Sequence, residues 1–399
     1  MTKLLDLKNN SVIAINQNNY TKKDNYKKVC YLDTDNITNN RINAFLKIDL
    51  TKEKLPSRAK RKCSVNSIIY SSVRPNQRHF GIIKEIPKNF LVSTAFIVID
   101  VIDLEKLDPN YLYYYITQDE IIHYLQRIAE CGTSSYPSIT PLDFLNIKIK
   151  LYPLETQQKI ARTLSILDQK IENNHKINEL LHKILELLYE QYFVRFDFLD
   201  ENNKPYQTSG GKMKFSKELN RLIPSGWSVR FLNHKIVSTY QPKTISKTLL
   251  NDSYSYSVYG GGGIIGRFTE YNHEQSEFII SCRGQCGISY LTLPKSWITG
   301  NAMVIRPTKS YTSKTYLYHT IKKYKLTNYI TGSVQPQITR QNLSTMPILI
   351  PKRKNLNKWN NISSLLWNLI HNNMQSTQTL TALRDFLLPL LLKQQVKPK

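Results

Sequence analysis

Residues 155–193 decide the fold; they read ETQQKIARTLSILDQKIENNHKINELLHKILELLYEQYF. Their seam positions follow one another at intervals of three or four, with two asparagines completing an apolar series: Ile160, Leu164, Leu167, Ile171, Asn174, Asn178, Leu181, Leu185 and Leu188. No glycine or proline interrupts this stretch. A sustained 3.5-residue period predicts a helix of about 55 Å that packs along its length against a second helix.

A second stretch, residues 357–388, repeats the pattern at a constant offset of 199 residues. Its seam positions hold Trp359, Leu366, Ile370, Asn373, Thr377, Leu380 and Leu387. Asn373 and Thr377 fall where Asn174 and Asn178 fall in the first stretch. A polar asparagine in such a seam costs stability but fixes the register of the two helices. The shared offset therefore indicates an internal duplication rather than two unrelated amphipathic helices.

The duplication extends upstream of both helices. Three further segments recur: 132–140 as 332–339, 111–113 as 316–318, and 70–74 as 280–283. We therefore predict two copies of one unit, each a β-rich globular block, a polar loop and a long helix. Because the first helix leads from block one to block two and the second leaves block two, the helices run antiparallel if they pair. Two similar blocks on such a spacer favour a ligand that is read as two half-sites.

The chain carries 55 Lys and Arg against 30 Asp and Glu, a formal net charge of +25. The excess lies largely on the globular blocks: residues 199–351 hold 19 basic and 7 acidic side chains, whereas residues 155–198 hold 6 and 7. We expect a polyanionic partner, with nucleic acid first and an anionic membrane surface second.

The remaining composition narrows the class of protein. A hydrophobic content of 41% excludes wholesale disorder, and no apolar run approaches the ~20 residues of a membrane span. Five scattered cysteines and the lack of a secretory signal favour a reduced, cytoplasmic protein.

Five motifs stand in a characteristic order. They are YPLETQQKI at 152–160, IPSGW at 223–227, VYGGGGIIG at 258–266, ISCRGQCG at 280–287 and GSVQPQIT at 332–339. In this order and spacing the chain resembles, over nearly its full length, the DNA-specificity subunit of a type I restriction–modification system. The first block departs from the pattern because it lacks the Pro-Ser-Gly-Trp motif and the glycine run.

The resemblance implies an α+β fold with two similar target-recognition domains, at 1–152 and 201–351. Two long antiparallel coiled-coil helices, at 153–200 and 352–399, separate them, and an internal pseudo-twofold repeat relates the halves. It also implies a non-catalytic subunit that recognises a bipartite sequence in double-stranded DNA.

The resemblance further implies partners: two methylation subunits, which methylate adenine at N6, and restriction subunits, which cleave. S-adenosylmethionine, ATP and Mg²⁺ are expected on those partners, with no cofactor or metal on this chain and no membrane. The alternatives are an orphan bipartite DNA-binding or interaction protein and a self-contained methyltransferase. The latter is disfavoured because no complete cofactor loop or catalytic tetrapeptide is present.

Candidate DNA contacts are polar and basic residues on predicted loops, because Arg, Asn and Gln read base edges while Lys and Ser hold phosphates. In block one they are Arg58, Lys60, Arg61, Lys62, Arg74, Asn76, Arg78, Ser134, Ser135 and Tyr136. In block two they are Tyr259, Arg267, Arg283, Gln285, Ser333, Gln335, Gln337 and Arg340. Arg74 and Arg283 are matched between the two copies and are the best candidates.

Candidate contacts with partner subunits lie on the first long helix and just beyond its far end. They are Gln157, Gln158, Arg162, Tyr189, Tyr192 and Phe193. The alternative for the three aromatic residues is packing on the neighbouring globular block.

Three motifs suggest other chemistry but favour simpler interpretations. Residues 261–268 have the glycine spacing of a phosphate-binding loop but end in Arg267-Phe268, so we expect a turn between short strands. The tetrapeptide that begins at Asp108 mimics a methyltransferase motif, and we expect a helix start that Asp108 caps. Cys282 and Cys286 lack the paired clusters of a zinc site and are expected to be small buried residues.

Overall fold

The computed structural model describes residues 1–131, 136–251, 254–308, 310–333 and 335–397. The chain divides into two compact units. Unit 1 comprises Met1–Asn174 and Ser376–Lys399, and unit 2 comprises His175–Gln375. Among the described residues, no helix is both long enough and apolar enough to cross a membrane.

The helices of unit 1 are α1 (Leu4–Asn9), α2 (Pro109–Ile116), α3 (Asp119–Glu130), α4 (Pro141–Leu145), the first part of α5 (Leu154–Tyr189) and the last part of α8 (Arg353–Leu392). Its strands are β1 (Thr2–Lys3), β2 (Ile13–Ile15), β3 (Lys28–Leu32), β4 (Ile37–Thr38), β5 (Arg41–Ile42), β6 (Leu46–Asp49), β7 (Ala59–Arg61), β8 (Ile68–Ser71), β9 (Phe80–Ile82), β10 (Phe90–Ser93), β11 (Phe96–Val101) and β12 (Lys148–Ile149). Two four-stranded sheets form, in the orders β6-β3-β10-β7 and β2-β11-β8-β9.

Unit 2 contains the rest of α5, then α6 (Lys314–Lys322), α7 (Arg340–Ser344) and most of α8 (Arg353–Leu392). Its strands are β13 (Met213–Ser216), β14 (Arg221–Pro224), β15 (Ser228–Phe231), β16 (Val237–Tyr240), β17 (Tyr256–Gly260), β18 (Gly263–Phe268), β19 (Phe278–Ser281), β20 (Ser289–Leu291), β21 (Trp297–Ile298), β22 (Ala302–Pro307), β23 (Ile330–Thr331), β24 (Gln337–Ile338) and β25 (Pro347–Ile350). Its larger sheets have the orders β16-β22-β19-β20 and β18-β17-β21.

One antiparallel sheet is common to both units. In unit 1 the order is β2-β11-β8-β9, and in unit 2 it is β16-β22-β19-β20, with matching connections. The central strands β8 and β19 are fully buried, because they are runs of Ile and aromatic residues that suit a strand covered on both faces. The predicted duplication is therefore present in the strand order as well as in the sequence.

Paired residues outside the sheet explain why the sequence repeats where it does. The Tyr111 hydroxyl donates to the carbonyl of Lys150 (2.5 Å), and the Tyr316 hydroxyl donates to that of Leu349 (2.7 Å). Thr140 caps α4 and Thr339 caps α7 through the side-chain oxygen of the threonine. The predicted helix start after Asp108 is confirmed, since its carboxylate accepts from the Tyr111 amide at the beginning of α2.

Within each unit the segments of α5 and α8 run antiparallel. In unit 1 the Asn174 side-chain amide donates to Thr377 Oγ1 (3.2 Å), and Asp168 pairs with Arg384 (2.9 Å). Residue numbers fall along α8 as they rise along α5, which defines the antiparallel direction. Ile160 and Leu164 are fully buried in the same core as Leu391.

Unit 2 repeats this contact. The Asn373 side-chain amide donates to the Asn178 side-chain oxygen (2.9 Å), and Asn178 donates to the Ile370 carbonyl (3.3 Å). Each predicted seam asparagine thus has a hydrogen-bond partner on the other long helix. Ser363, another polar residue of α8, is buried and bonds to Thr315 (2.8 Å).

Candidate DNA interface

Three loops of unit 2 meet beside Arg283. The amide of Cys282 donates to the Asn301 carbonyl (3.0 Å), and Arg283 forms an antiparallel bridge with Gln337. The glycine turn between β17 and β18 lies on the third side, where a Cβ on Gly261 would stand 2.8 Å from the Arg283 carbonyl oxygen. Only glycine allows this close approach. The glycine run is therefore a turn between strands, as expected.

Unit 1 brings the corresponding loops together. The Ser72 amide donates to the Ala95 carbonyl (2.8 Å), and Val73 forms an antiparallel bridge with Ser138. The segment that contains Arg58 also contacts these loops, because the Thr94 amide donates to the Arg58 carbonyl (2.8 Å). Four separate segments of block one thus converge around exposed Arg58 and Arg74.

The backbone pairing corrects the match between Arg74 and Arg283. Arg283 is bridged to Gln337 as Val73 is bridged to Ser138, so Arg283 corresponds to Val73. Arg74 then corresponds to Gly284, and both adopt left-handed backbone conformations, with φ of +47° and +74°. The backbone pairing defines which residues are equivalent in the two units. The match of Arg74 with Arg283 that was predicted from the sequence is therefore wrong by one residue.

Arg74 is exposed and lies over the ring of Tyr136, with its guanidinium carbon 5.3 Å from the ring centroid. Asn76 is exposed, whereas Arg78 pairs with Asp119 at 2.6 Å. Ser134 and Ser135 lie outside the described residues. Arg74 and Tyr136 thus form an exposed cation–π pair in the unit 1 loop cluster.

The basic residues between Arg58 and Lys62 differ in their exposure and in their partners. Arg58 and Lys60 are exposed, and Lys62 pairs with Asp24 at 2.5 Å. The hydrogen bond from Lys62 holds the pKa of Asp24 below its usual value. Arg61 is half-buried on β7, and burial lowers the pKa of its guanidinium.

Most candidate residues of unit 2 lie at the surface. Exposed members are Arg283, Gln285, Ser333, Gln335, Gln337 and Arg340, and Arg267 is half-buried with its guanidinium donating to the Ser255 carbonyl. The prediction that Tyr259 contacts DNA is wrong, because its side chain is buried. It is 3% exposed, its hydroxyl accepts from the Leu293 amide (3.0 Å), and burial raises its pKa to about 12. Its side chain belongs to the core because β17 turns that face inward.

Three candidate partner contacts are also buried. Gln157 is fully buried, its oxygen accepting from the Asp108 amide and its nitrogen donating to the carbonyls of Lys106 and Tyr152. Tyr189 and Phe193 pack in the core of unit 2, which is the alternative stated for the aromatic residues. Gln158 and Arg162 are exposed and Tyr192 is half-buried.

Exposed apolar residues form a row along α5 that was not predicted from the sequence. We call Ile177, Leu180, Ile184 and Leu187 on α5 the apolar stripe; all four are exposed, Leu180 and Leu187 by about three-fifths. Within the same unit, α8 exposes Ile362, Leu365 and Leu369. The spacing of three and four residues was visible in the sequence as a second series, one position away from the seam. Surface residues in such a row mark an interaction site.

The described residues contain no group of three His, Cys, Asp or Glu side chains placed to hold a metal ion. Cys282 is buried and Cys286 half-buried, both as free thiols.

Comparisons with known proteins identify the family of the chain. Residues 6–183 and 224–383 match the family described as the Type I restriction modification DNA specificity domain. The chain is 32% identical over 173 residues to the Type I restriction enzyme HindI specificity subunit of Haemophilus influenzae, covering 43% of this chain and 37% of that subunit. It is 24% identical over 326 residues to the MjaIX specificity subunit of Methanocaldococcus jannaschii, covering 73% and 70%.

A solved structure shares the fold. The crystal structure of the type I restriction–modification S subunit from M. genitalium superposes with a TM-score of 0.56 at 18% identity, covering 98% of this chain and 99% of that one. The two family matches take in most of the sequence, one in each half. The chain therefore belongs to the DNA specificity domain family of type I restriction–modification systems.

Proposed function

We propose that this chain is the DNA-recognition subunit of a type I restriction–modification complex and that it reads a split duplex sequence. One loop cluster in each unit contacts one half of the target. The repeated cluster carries the proposal, because each unit has an exposed arginine in the loop that follows the same strand of the shared sheet, at positions that differ by one residue. Arginine and glutamine contact base edges, and the +25 net charge favours phosphate contacts.

We further propose that α5 and α8 form an antiparallel coiled coil that spaces the two half-sites. The seam asparagines support this, since a hydrogen-bonded polar pair in the seam specifies one register out of those that differ by a heptad. A fixed register would fix the number of base pairs between the halves. The target then has two specific half-sites and a gap of constant length.

The apolar stripe supports a role in assembly. We propose that methylation subunits dock on the exposed faces of α5 and α8, with Gln158 and Arg162 as further contacts, and that restriction subunits join the same complex. S-adenosylmethionine, ATP and Mg²⁺ would be bound by those partners, while this non-catalytic chain selects the adenine to be methylated at N6. The complex would act in the cytoplasm, where cellular DNA is accessible.

The test is single-molecule sequencing of DNA from cells that express this chain with and without its neighbouring methylation subunit. We expect N6-methyladenine on one split motif, present only when both proteins are made. Methylation by this chain alone would instead support a self-contained methyltransferase. Unmethylated DNA, with both proteins soluble, would contradict the proposal and favour an orphan binding protein.

A further inference from the structure

Gln337 is held on both sides by neighbouring backbone. It pairs with Thr331 in the β23–β24 ladder and with Arg283 in the isolated bridge. Residues directly opposite one another in antiparallel pairing project their side chains to the same face, with Cβ atoms about 5 Å apart. Thr331, Gln337 and Arg283 therefore form a row, and all three are exposed.

The neighbours of this row point the other way. Cys282 and Ile338, which precede Arg283 and follow Gln337, are buried at 0% and 2%. The alternation fixes the face that Arg283 and Gln337 present to solvent. Within the described part of the chain, neither of their side chains has a hydrogen-bond or ion-pair partner, so their donors and acceptors are available to a ligand.

The backbone that carries the pair is pre-organised. The Ser281 hydroxyl accepts from the Ile288 amide (2.8 Å) and donates to the Gln285 carbonyl, which closes the loop from inside. Gly261 abuts the Arg283 carbonyl from the other side. A fixed backbone lowers the entropy lost on binding, and this favours specific contacts over loose charge attraction.

The chemistry of the two side chains is complementary to two purines. Arginine donates two hydrogen bonds to O6 and N7 of guanine, and glutamine bonds to N6 and N7 of adenine. The Cβ atoms of bridged residues are about 5 Å apart and neighbouring bases ~3.4 Å apart, so two long side chains need to converge only slightly to reach adjacent base pairs. At the same place unit 1 has Val73 and Ser138, which cannot make either bidentate contact.

We propose that Arg283 and Gln337 read a guanine and an adjacent adenine in the major groove of the half-site bound by unit 2. Unit 1 does not use this contact pair, and its half-site differs at the corresponding step. The inference rests on the proposed function and deepens it by naming bases and the residues that read them.

The experiment compares methylation motifs and duplex binding for complexes that contain wild type, Arg283→Lys or Gln337→Ala. Arg283→Lys retains the charge for a phosphate but loses the guanidinium fork. We expect it to relax the guanine position alone, with discrimination reduced roughly 10- to 100-fold in competition binding. Gln337→Ala should relax only the neighbouring adenine.

Arg230→Ala is the matched control, since Arg230 is exposed in unit 2 and stacks on Tyr311 away from the loop cluster. It should leave the motif unchanged. The inference is overturned if Arg283→Lys and Gln337→Ala keep the wild-type motif, or weaken binding equally for every sequence. A wild-type complex that methylates no split motif would contradict the proposed function itself, which separates the two failures. Melting temperatures within about 2 °C of wild type confirm that the variants are folded.

Discussion

Arg74 adopts a backbone conformation that its counterpart Gly284 reaches without a steric penalty. An L-residue in the left-handed region is strained by about 1–2 kcal/mol because its Cβ approaches the following carbonyl oxygen. Unit 1 nevertheless has an arginine there, and the guanidinium stacks on exposed Tyr136. Strain of this kind concentrates at functional positions. We interpret Arg74 as a residue kept for contact with DNA at some cost to folding.

Arg74→Gly tests that interpretation. The free energy of unfolding should stay the same or rise by up to about 1 kcal/mol, because glycine relieves the strain. Affinity for target DNA should fall, because a cation is lost from the loop cluster. Thermal unfolding and duplex binding measure the two effects, with Arg127→Gly on α3 as a control that should destabilise the fold. A drop in stability together with unchanged affinity would show that Arg74 is structural.

Residue identities explain why some site predictions failed. Gln157, Tyr189 and Tyr259 have polar atoms that suit a surface, but each polar atom has an internal partner. Apart from the Tyr152 carbonyl, which is five residues from Gln157, the partners lie 34 to 131 residues away in sequence, so local pattern gives no sign of them. Exposed loop residues such as Arg283 were predictable because glycine and polar neighbours mark turns.

At the scale of elements, the long helices were the most predictable part. The period predicted helices at 155–193 and 357–388, and the structure has Leu154–Tyr189 and Arg353–Leu392. The sheet order was not predictable, since β11 pairs with both β2 and β8 across long stretches of chain. The role of the polar residues in the α8 seam was not predictable either, because it depends on their partners on α5.

One polar residue of α8 is Arg384, which pairs with Asp168 of α5 in unit 1. The Tyr114 hydroxyl also donates to Asp168 (2.6 Å). The positions offset by 199 are Trp367 and Leu185, both buried in unit 2. Arg384→Leu should lower stability by about 2 kcal/mol because it leaves a partly buried carboxylate without its cation. The double variant Asp168→Leu with Arg384→Leu should recover at least half of that loss.

Denaturant unfolding and hydrogen exchange of unit 1 peptides measure this double-mutant cycle. Asp385→Ala is a suitable control, because Asp385 is the more exposed partner of Arg384. Additive effects of the two leucine substitutions would contradict coupling between the helices.

The apolar stripe makes a second prediction at this scale. Leu180→Asp with Leu187→Asp should abolish co-purification of the methylation subunit, because charges would be buried in the interface. Binding of DNA by the isolated chain should be unaffected. Lys183→Ala, an exposed change between the two leucines on the same helix, is the control. Retained association after the double change would place the docking surface elsewhere.

For the whole molecule, we expect acid to destabilise unit 2 through its buried histidines. Burial lowers the pKa of His319 to about 3 and that of His371 to about 4, and both lie in unit 2. In the unfolded chain these side chains titrate near 6.5. As pH falls below 6.5 the unfolded chain binds protons that the folded unit excludes. The stability of unit 2 is therefore full above pH 6.5 and decreases below it.

Between pH 6.5 and pH 5 each histidine should cost unit 2 about 2 kcal/mol. All four tryptophans of the chain, Trp227, Trp297, Trp359 and Trp367, lie in unit 2, so their fluorescence reports its unfolding. Circular dichroism follows both units. We expect the fluorescence transition to shift to lower temperature at pH 5, and His319→Phe to reduce that shift. Identical transitions at both pH values would exclude burial of neutral histidines.

The division of the chain into units has a consequence for its synthesis. Unit 2 is one continuous segment, His175–Gln375, whereas unit 1 needs Ser376–Lys399 as well as Met1–Asn174. On the ribosome, unit 2 can complete its contacts first, while unit 1 waits for residues translated roughly 10 to 45 seconds after Asn174. During that interval Ile160 and Leu164 lack the segment that includes Leu391, which packs in the same core. The nascent first half is thus the state most exposed to chaperones, proteases and mispairing with a second nascent chain.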